Sequence, residues 1–255
     1  MFSGSSGNCL AVGCGGKYIL IDTGCSAKRI KERLHDEDID PADVAGIFIT
    51  HEHCDHIAGL RVLASSLKVP VYATEGTADY LQEHGHAKNV DLRLLPERDV
   101  DMGCMGVAGF ATSHDAAESC GFRVACADGR RIAIATDTGV ITPAIRAALD
   151  GCDLVYLESN HDENMLYTGR YPYPLKKRIA SDVGHLSNEA CAAELSSFAR
   201  AGTTRFVLGH LSRENNIPVL ARQCAVQALA QSGIREGTDY LLSVAGITGL
   251  RSMVL

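Results

Sequence analysis

Tryptophan is absent from this 255-residue chain, and aromatic residues of every kind make up only 5% of it. The core implied by its 46% apolar content is therefore aliphatic. No apolar run approaches the roughly 20 residues that a membrane-crossing helix needs. The opening Met1-Phe2-Ser3 has neither a basic segment nor an apolar stretch of the signal-peptide kind, so a cytoplasmic chain is expected. Cysteine is not scarce, at ten, but no CxxC pair occurs, and Cys126, Cys152, Cys191 and Cys224 sit inside apolar segments. They read as reduced, small, buried hydrophobes, which sets aside a disulfide framework. Positive charge is the other shortage: 24 Lys and Arg against 31 Asp and Glu leave a net charge of −7. Bulk attraction to nucleic acid is excluded on that balance, though a local basic patch or bound cations could still supply it. At this length one domain covering 1–255 is expected.

Against these shortages, one stretch is unusually rich. The apolar run Ile47-Phe48-Ile49 breaks into Thr50-His51-Glu52-His53-Cys54-Asp55-His56, with three histidines and an aspartate inside six positions. Apolar residues would stabilise a core better, so this density of imidazole and carboxylate points to metal. His51 and His53 are two apart, and in extended backbone both rings point the same way and can grip one ion. Asp55 and His56, where the chain turns, can reach a second.

The remaining chemistry lies at the ends of apolar strands. Strands are expected at 9–12, 17–21, 69–72, 92–95, 107–112, 121–127, 131–135, 154–157 and 206–208, with two more short ones closing the chain. Helices are expected at 27–35, 58–67, 75–83, 143–149, 188–201 and 218–232. Asp22, His51, His114, Asp137, Glu158 and His210 each fall just past one of these strands. If the strands share sheets with their ends on one side, all six residues meet along one edge. Asp22, costly to bury alone, is expected to accept hydrogen bonds that shape the 51–56 loop rather than to bind metal. His84 and His86, in a polar loop, read as surface residues. The opening Ser3-Gly4-Ser5-Ser6-Gly7-Asn8 is either a plain lead-in or an anion-binding loop with Ser5, Ser6 and Asn8 facing substrate. Tyr167, Arg170, Tyr171, Tyr173, Lys176, Lys177 and Arg178 cluster in an otherwise acidic chain, as a solvated helix face or a phosphate-contacting surface.

These motifs together resemble the metallo-β-lactamase superfamily, over nearly the whole chain. Ile-Asp-Thr-Gly at Asp22, His51-Glu52-His53-Cys54-Asp55-His56, His114, Asp137 and a late histidine carry the likeness. Glu158-Ser159-Asn160-His161-Asp162, Gly184-His185-Leu186-Ser187-Asn188 and Leu208-Gly209-His210-Leu211-Ser212-Arg213-Glu214-Asn215-Asn216 resemble its YycJ (WalJ) branch. The resemblance implies a four-layer αββα sandwich: an α/β fold of two facing mixed sheets flanked by helices, with metal at one edge. It implies two divalent ions, Zn²⁺ or Mn²⁺, one on His51, His53 and His114, the other on Asp55, His56 and His210, with Asp137 bridging. A hydroxide shared by the ions would attack a phosphodiester, with Asp55 both ligand and participant in catalysis. His185, oriented by Glu158, would protonate the leaving group. Asn160, His161, Lys176, Lys177 and Arg178 would contact substrate: nucleic acid, DNA ahead of RNA, or a small phosphodiester.

Two strings of the form GHLS compete for the last ligand position. His210 follows a strand, as the other ligands do; His185 sits in a loop before a helix, so His210 is assigned to metal. The resemblance thus implies a 5′→3′ exonuclease or other phosphodiesterase. A thioester or lactone hydrolase is the alternative, disfavoured by the His185 and Glu158 pair that such chemistry does not need. A di-iron oxidoreductase is disfavoured because His53 stands where those relatives carry Glu. A non-catalytic binding module is disfavoured because every ligand position is filled.

Overall fold

The computed structural model describes residues 1–4, 7–246 and 253. β1 (Leu10–Cys14) and β2 (Lys17–Ile21) form a hairpin through Gly15 and Gly16, both at positive φ, a conformation open to glycine because it lacks Cβ. α1 (Ala27–Asp36) starts at Ser26, whose hydroxyl accepts from the Arg29 N–H. β3 (Val44–Phe48), α2 (Cys54–Ile57), α3 (Leu60–Leu67), β4 (Val71–Ala73), α4 (Glu75–Glu83) and β5 (Leu92–Leu94) complete the first half. The second half runs β6 (Val100–Asp101), β7 (Met105–Ala111), β8 (Cys120–Cys126), β9 (Arg131–Ala135), α5 (Pro143–Leu149), β10 (Leu154–Glu158), α6 (Glu163–Thr168), α7 (Tyr173–Ile179), α8 (Asn188–Arg200), β11 (Arg205–Gly209), α9 (Pro218–Gln231) and β12 (Leu241–Val244).

One sheet has the order β1-β2-β3-β4-β5, the other β12-β11-β10-β9-β8-β7-β6. Three apolar clusters show how they stack. The first joins Leu20, Ile47 and Val71 of one sheet to Ile30, Leu63 and Leu81 of α1, α3 and α4. The second joins Val155 and Phe206 of the other sheet to Ile145, Leu195 and Leu229 of α5, α8 and α9. The third lies between the sheets, where Phe48 of β3 stacks on Tyr72 at 4.8 Å and meets Phe122 of β8 edge-on at 5.5 Å. Three apolar seams between helices, sheet, sheet and helices make the αββα sandwich. Each large side chain buried in them contributes about 1.5–3 kcal/mol.

Strand direction is what positions the site. β2, β3 and β4 run parallel, as do β9, β10 and β11, and two antiparallel steps through β8 turn β7 the same way as β9. The ends of β2, β3, β7, β9, β10 and β11 therefore share one edge, as the strand-end regularity predicted.

Several boundaries differ from expectation. The 51–57 stretch is not all loop: Cys54–Ile57 coils into a helical turn of its own, separated from α3 at Gly59. Gly59 is pressed onto the 23–27 segment, where a Cβ would come within 2.2 Å of the Cys25 carbonyl oxygen. The first strand extends through Cys14. The basic segment splits into α6 and α7, with Gly169 and Pro172 at the break. Of the two closing strands, β12 is seen, and the other lies outside the described residues. Among those residues no helix is long and apolar enough to cross a membrane.

Candidate metal centre

Three of the strand-end residues leave their strands through a left-handed turn. Asp22, Asp137 and His210 have φ of 62, 54 and 56°. Such a conformation costs a non-glycine residue about 1–3 kcal/mol and persists where surrounding contacts over-determine it. The turn after Asp22 is one such place: Gly24 lies so close to the metal loop that a Cβ would fall 1.6 Å from the Asp55 carbonyl oxygen.

The side chains converge into four overlapping groups: His51, His53 and His114; His51, His56 and Asp137; Asp55, His56 and His210; and Asp137, Glu158, His185 and His210. Within each group the candidate ligand atoms lie within 4.8 Å of one another. Asp137 is central, 3.3 Å from His56 Nε2, 3.5 Å from His210 Nε2, 3.6 Å from His185 Nδ1 and 3.8 Å from His114 Nε2. His51 Nε2, His210 Nε2 and Asp137 Oδ2 are buried without any hydrogen-bond partner. Buried polar atoms are normally paired. Three orphans converging among imidazoles and carboxylates fit a divalent cation, and the nitrogen and oxygen donor set suits zinc or another borderline ion.

What faces outward supports this. His51 Nδ1 lies 3.0 Å from Thr50 Oγ1, His56 Nδ1 2.8 Å from Asp22 Oδ2, His114 Nδ1 3.0 Å from the Gly184 carbonyl, and His210 Nδ1 2.8 Å from Glu158 Oε1. Each of these four rings is held by its outer nitrogen and presents Nε2 inward. His53 instead turns Nδ1 inward, 3.3 Å from His114 Nε2. Asp22 spends its two oxygens on Thr50 N–H at 2.9 Å, the Thr50 hydroxyl at 2.9 Å and His56. It stands behind the histidine cluster. Asp22→Ala should weaken metal binding about 10–100-fold, as measured by competition with a chromogenic chelator. Unchanged affinity would remove its orienting role.

Neighbouring charges shift the titration of the cluster. Burial alone would depress His56, but Asp137 and Asp22 outweigh it and raise its pKa to about 9. Burial is likewise outweighed at His210, where Asp137 and Glu158 raise it to about 10. Burial would raise Asp137 and Glu158, yet His210 and His56 hold Asp137 well below the carboxylate range, and His185 and His210 hold Glu158 at about 2. His51, with burial and His56 both acting on it, is held well below 6.5. Raised folded-state values at His56 and His210 give stability that is full below pH 6.5 and lost as pH rises through 9–10. Chelated protein should therefore lose more melting temperature between pH 7 and 10 than metal-loaded protein. Buried thiols such as Cys9, which burial pushes up to about 12, cancel in that comparison. Equal losses in calorimetry would contradict these shifts.

His185 adjoins this cluster without an inward orphan. Its Nδ1 lies 2.8 Å from Glu158 Oε1, the oxygen that also meets His210, while its backbone N–H donates to the Ile179 carbonyl at 2.8 Å. Glu158 is fully buried, and its other oxygen accepts from the Thr138 N–H at 2.9 Å. Ser187 caps α8 through a hydrogen bond from the Ala190 N–H.

The residues expected to contact substrate are placed as follows. Asn160 is buried and donates to the His210 carbonyl at 2.9 Å, so it braces the backbone of His210. Asn8 is also buried, its amide 3.0 Å from His56 Nε2 and its carbonyl accepting from the Gly4 N–H. His161 is buried behind the site, with Nδ1 unpartnered, and offers no open face to a substrate. Lys176 donates to the Tyr167 and Gly169 carbonyls at 2.8 and 2.7 Å, which pins the α6–α7 corner. Ser5 and Ser6 lie outside the described residues. Lys177 and Arg178 are exposed, and Arg178 pairs with both oxygens of Asp115, whose carboxylate is 3.6 Å from His114 Nε2.

Other supports were invisible in the sequence. The Ser3 hydroxyl accepts from the His210 N–H at 2.8 Å and meets the Tyr156 hydroxyl at 2.6 Å, across 207 and 153 positions of chain. Asn188 and Asn216 hydrogen-bond each other, and Asn216 donates to the Ser159 and Asn160 carbonyls. Both asparagines follow the two GHLS strings, the one local hint available.

Residues 17–211 match the model of a beta-lactamase superfamily domain. The chain is 40% identical over 241 residues to exodeoxyribonuclease YycJ of Bacillus anthracis, covering 93% of this chain and 90% of that protein. It is 36% identical over 242 residues to exodeoxyribonuclease WalJ of Streptococcus pneumoniae, with the same coverages. In structure it is similar to the metallo-beta-lactamase fold protein YhfI from Bacillus subtilis (TM-score 0.71, 15% identity, 98% of this chain and 96% of that one). It is also similar to a diphosphatase from the PhnP family (TM-score 0.67, 20% identity, 98% and 85%), and both likenesses concern the fold.

Proposed function

This chain belongs to the metallo-β-lactamase superfamily, and on that footing we propose that it is a metal-dependent nuclease, a 5′→3′ exodeoxyribonuclease using two divalent ions, Zn²⁺ or Mn²⁺. Its relatives named as exodeoxyribonucleases match nearly end to end. The observation that carries the reading is Glu158 Oε1, shared at 2.8 Å by His210, inside the ligand cluster, and His185, beside it. Hydrolysis of a phosphodiester needs a proton for a poor alkoxide leaving group, and in this reading His185, outside the two ligand sets, would supply one.

His51, His53 and His114 would hold one ion and Asp55, His56 and His210 the other, with Asp137 between them. When bound, such a pair supplies a water-derived nucleophile near neutral pH and neutralises charge on the attacked phosphate. The remaining work falls to the chain. Glu158, ionised and buried, fixes His185 through Nδ1 and leaves Nε2 free to give its proton to the departing oxygen. Asp22, Thr50 and the Gly184 carbonyl hold the imidazoles so that little reorganisation is needed as the reaction proceeds. Asp55, its side chain 24% exposed, would face the phosphate. Arg178 is paired with Asp115 next to His114.

A substrate panel tests this reading: 5′- and 3′-labelled single- and double-stranded DNA, RNA, cyclic nucleotides and bis-p-nitrophenyl phosphate, each with Mn²⁺ or Zn²⁺. DNA should be shortened stepwise from its 5′ end, only with metal, and faster than RNA. Turnover confined to cyclic nucleotides would overturn the nuclease reading and leave a small-molecule hydrolase.

A further inference from the structure

The chain has eight tyrosines and six phenylalanines, all among the described residues, and just two of these rings are exposed. They are Tyr167, 57% exposed on α6, and Tyr173, 74% exposed on α7. Every other ring is buried or half-buried. Two phenol rings left in water within seven positions, in a chain so poor in aromatics, call for a reason.

Their location supplies one. The end of α7 is built into the wall of the metal centre: the Ile179 carbonyl accepts from the His185 N–H, and Arg178 pairs with Asp115 beside His114. Tyr173 begins the same helix, about 9 Å back along its axis at 1.5 Å per residue. Lys177, four positions after Tyr173, shares its exposed face, and Arg170 is exposed in the connection between the helices. Lys176 ties that connection to α7 through two carbonyls, so the two rings stand on a braced corner.

We propose that the α6–α7 corner is a stacking platform for unpaired nucleobases of a strand entering the site, whether a single strand or the opened end of a duplex. This rests on the nuclease reading and adds to it the state of the substrate. Bases inside a duplex show only their edges, whereas an unpaired base has a free π-face for a tyrosine ring. Arg170 and Lys177, both exposed, would meet the phosphates between such bases, Arg178 being paired with Asp115.

The test compares Tyr167→Ala/Tyr173→Ala with the unaltered protein, after melting temperature and metal content confirm an intact fold. Fluorescence anisotropy measures binding to a single-stranded oligonucleotide, an abasic strand of equal length, and duplexes with blunt or mismatched ends. Stacking predicts that the double variant binds the single strand and the mismatched-end duplex on the order of 5- to 100-fold more weakly, with the abasic strand nearly unaffected. Unchanged binding of the single strand would overturn the proposal, as would equal losses on normal and abasic strands. So would a dimer, seen by sedimentation, that the substitutions dissociate without any effect on strand binding, since the rings would then cover a second copy. If the unaltered protein neither binds nor cuts any nucleic acid, the nuclease reading fails; if it does both and the variant equals it, the platform alone fails.

Discussion

His210→Ala should deplete one of two metal positions and suppress hydrolysis of every substrate, good and poor leaving groups alike. His210 Nε2 is buried, unpartnered and within ligand distance of Asp55, His56 and Asp137, while Nδ1 is fixed on Glu158. Its backbone is held in a left-handed turn by Ser3 and Asn160. Loss of an outer partner costs about 10–100-fold in metal affinity, and loss of the ligand itself should exceed that. Metal analysis after gel filtration, together with rates on bis-p-nitrophenyl phosphate and labelled DNA, checks the outcome. Two ions retained, with small-diester hydrolysis intact, would show that His210 is not a ligand.

His185→Ala should fail differently. Both metals should stay, and DNA cleavage should fall about 10²–10⁴-fold, the usual loss for a missing general acid and about 3–5 kcal/mol of transition-state stabilisation. The loss should shrink on bis-p-nitrophenyl phosphate, because p-nitrophenolate departs with little need of a proton. His185 is 16% exposed at its side chain, against 3% for His210, as suits a group that meets substrate. A lost metal, or equal slowing of both substrates, would exchange or abandon the roles given to the two histidines.

The edge on which these residues meet was legible as a condition. Apolar runs of three to six residues, each followed by Asp, Glu or His, need only a shared direction to bring their ends together, and that direction is set by pairing across the sheets. The helices after Glu75, Pro143 and Pro218 were equally plain, with acidic or proline starts and apolar periodicity. What stayed hidden depends on contacts across the chain or on backbone signs. The left-handed turns at Asp22, Asp137 and His210 carry no glycine to announce them. The hold of Ser3 on His210 joins residues 207 positions apart. Nothing in the sequence announced that Asn160 and His161 would be buried, Asn160 donating to the His210 carbonyl. The charge of Lys176 was visible, but the two carbonyls to which it donates were not.

Anomalous X-ray diffraction from crystals of the metal-reloaded protein tests the central claim most directly. The account predicts two peaks per chain, one bounded by His51, His53 and His114, the other by Asp55, His56 and His210, with Asp137 reaching both. Ligand distances should be about 2.0–2.2 Å. A single ion, or a second ion held by His185 in place of His210, would contradict it.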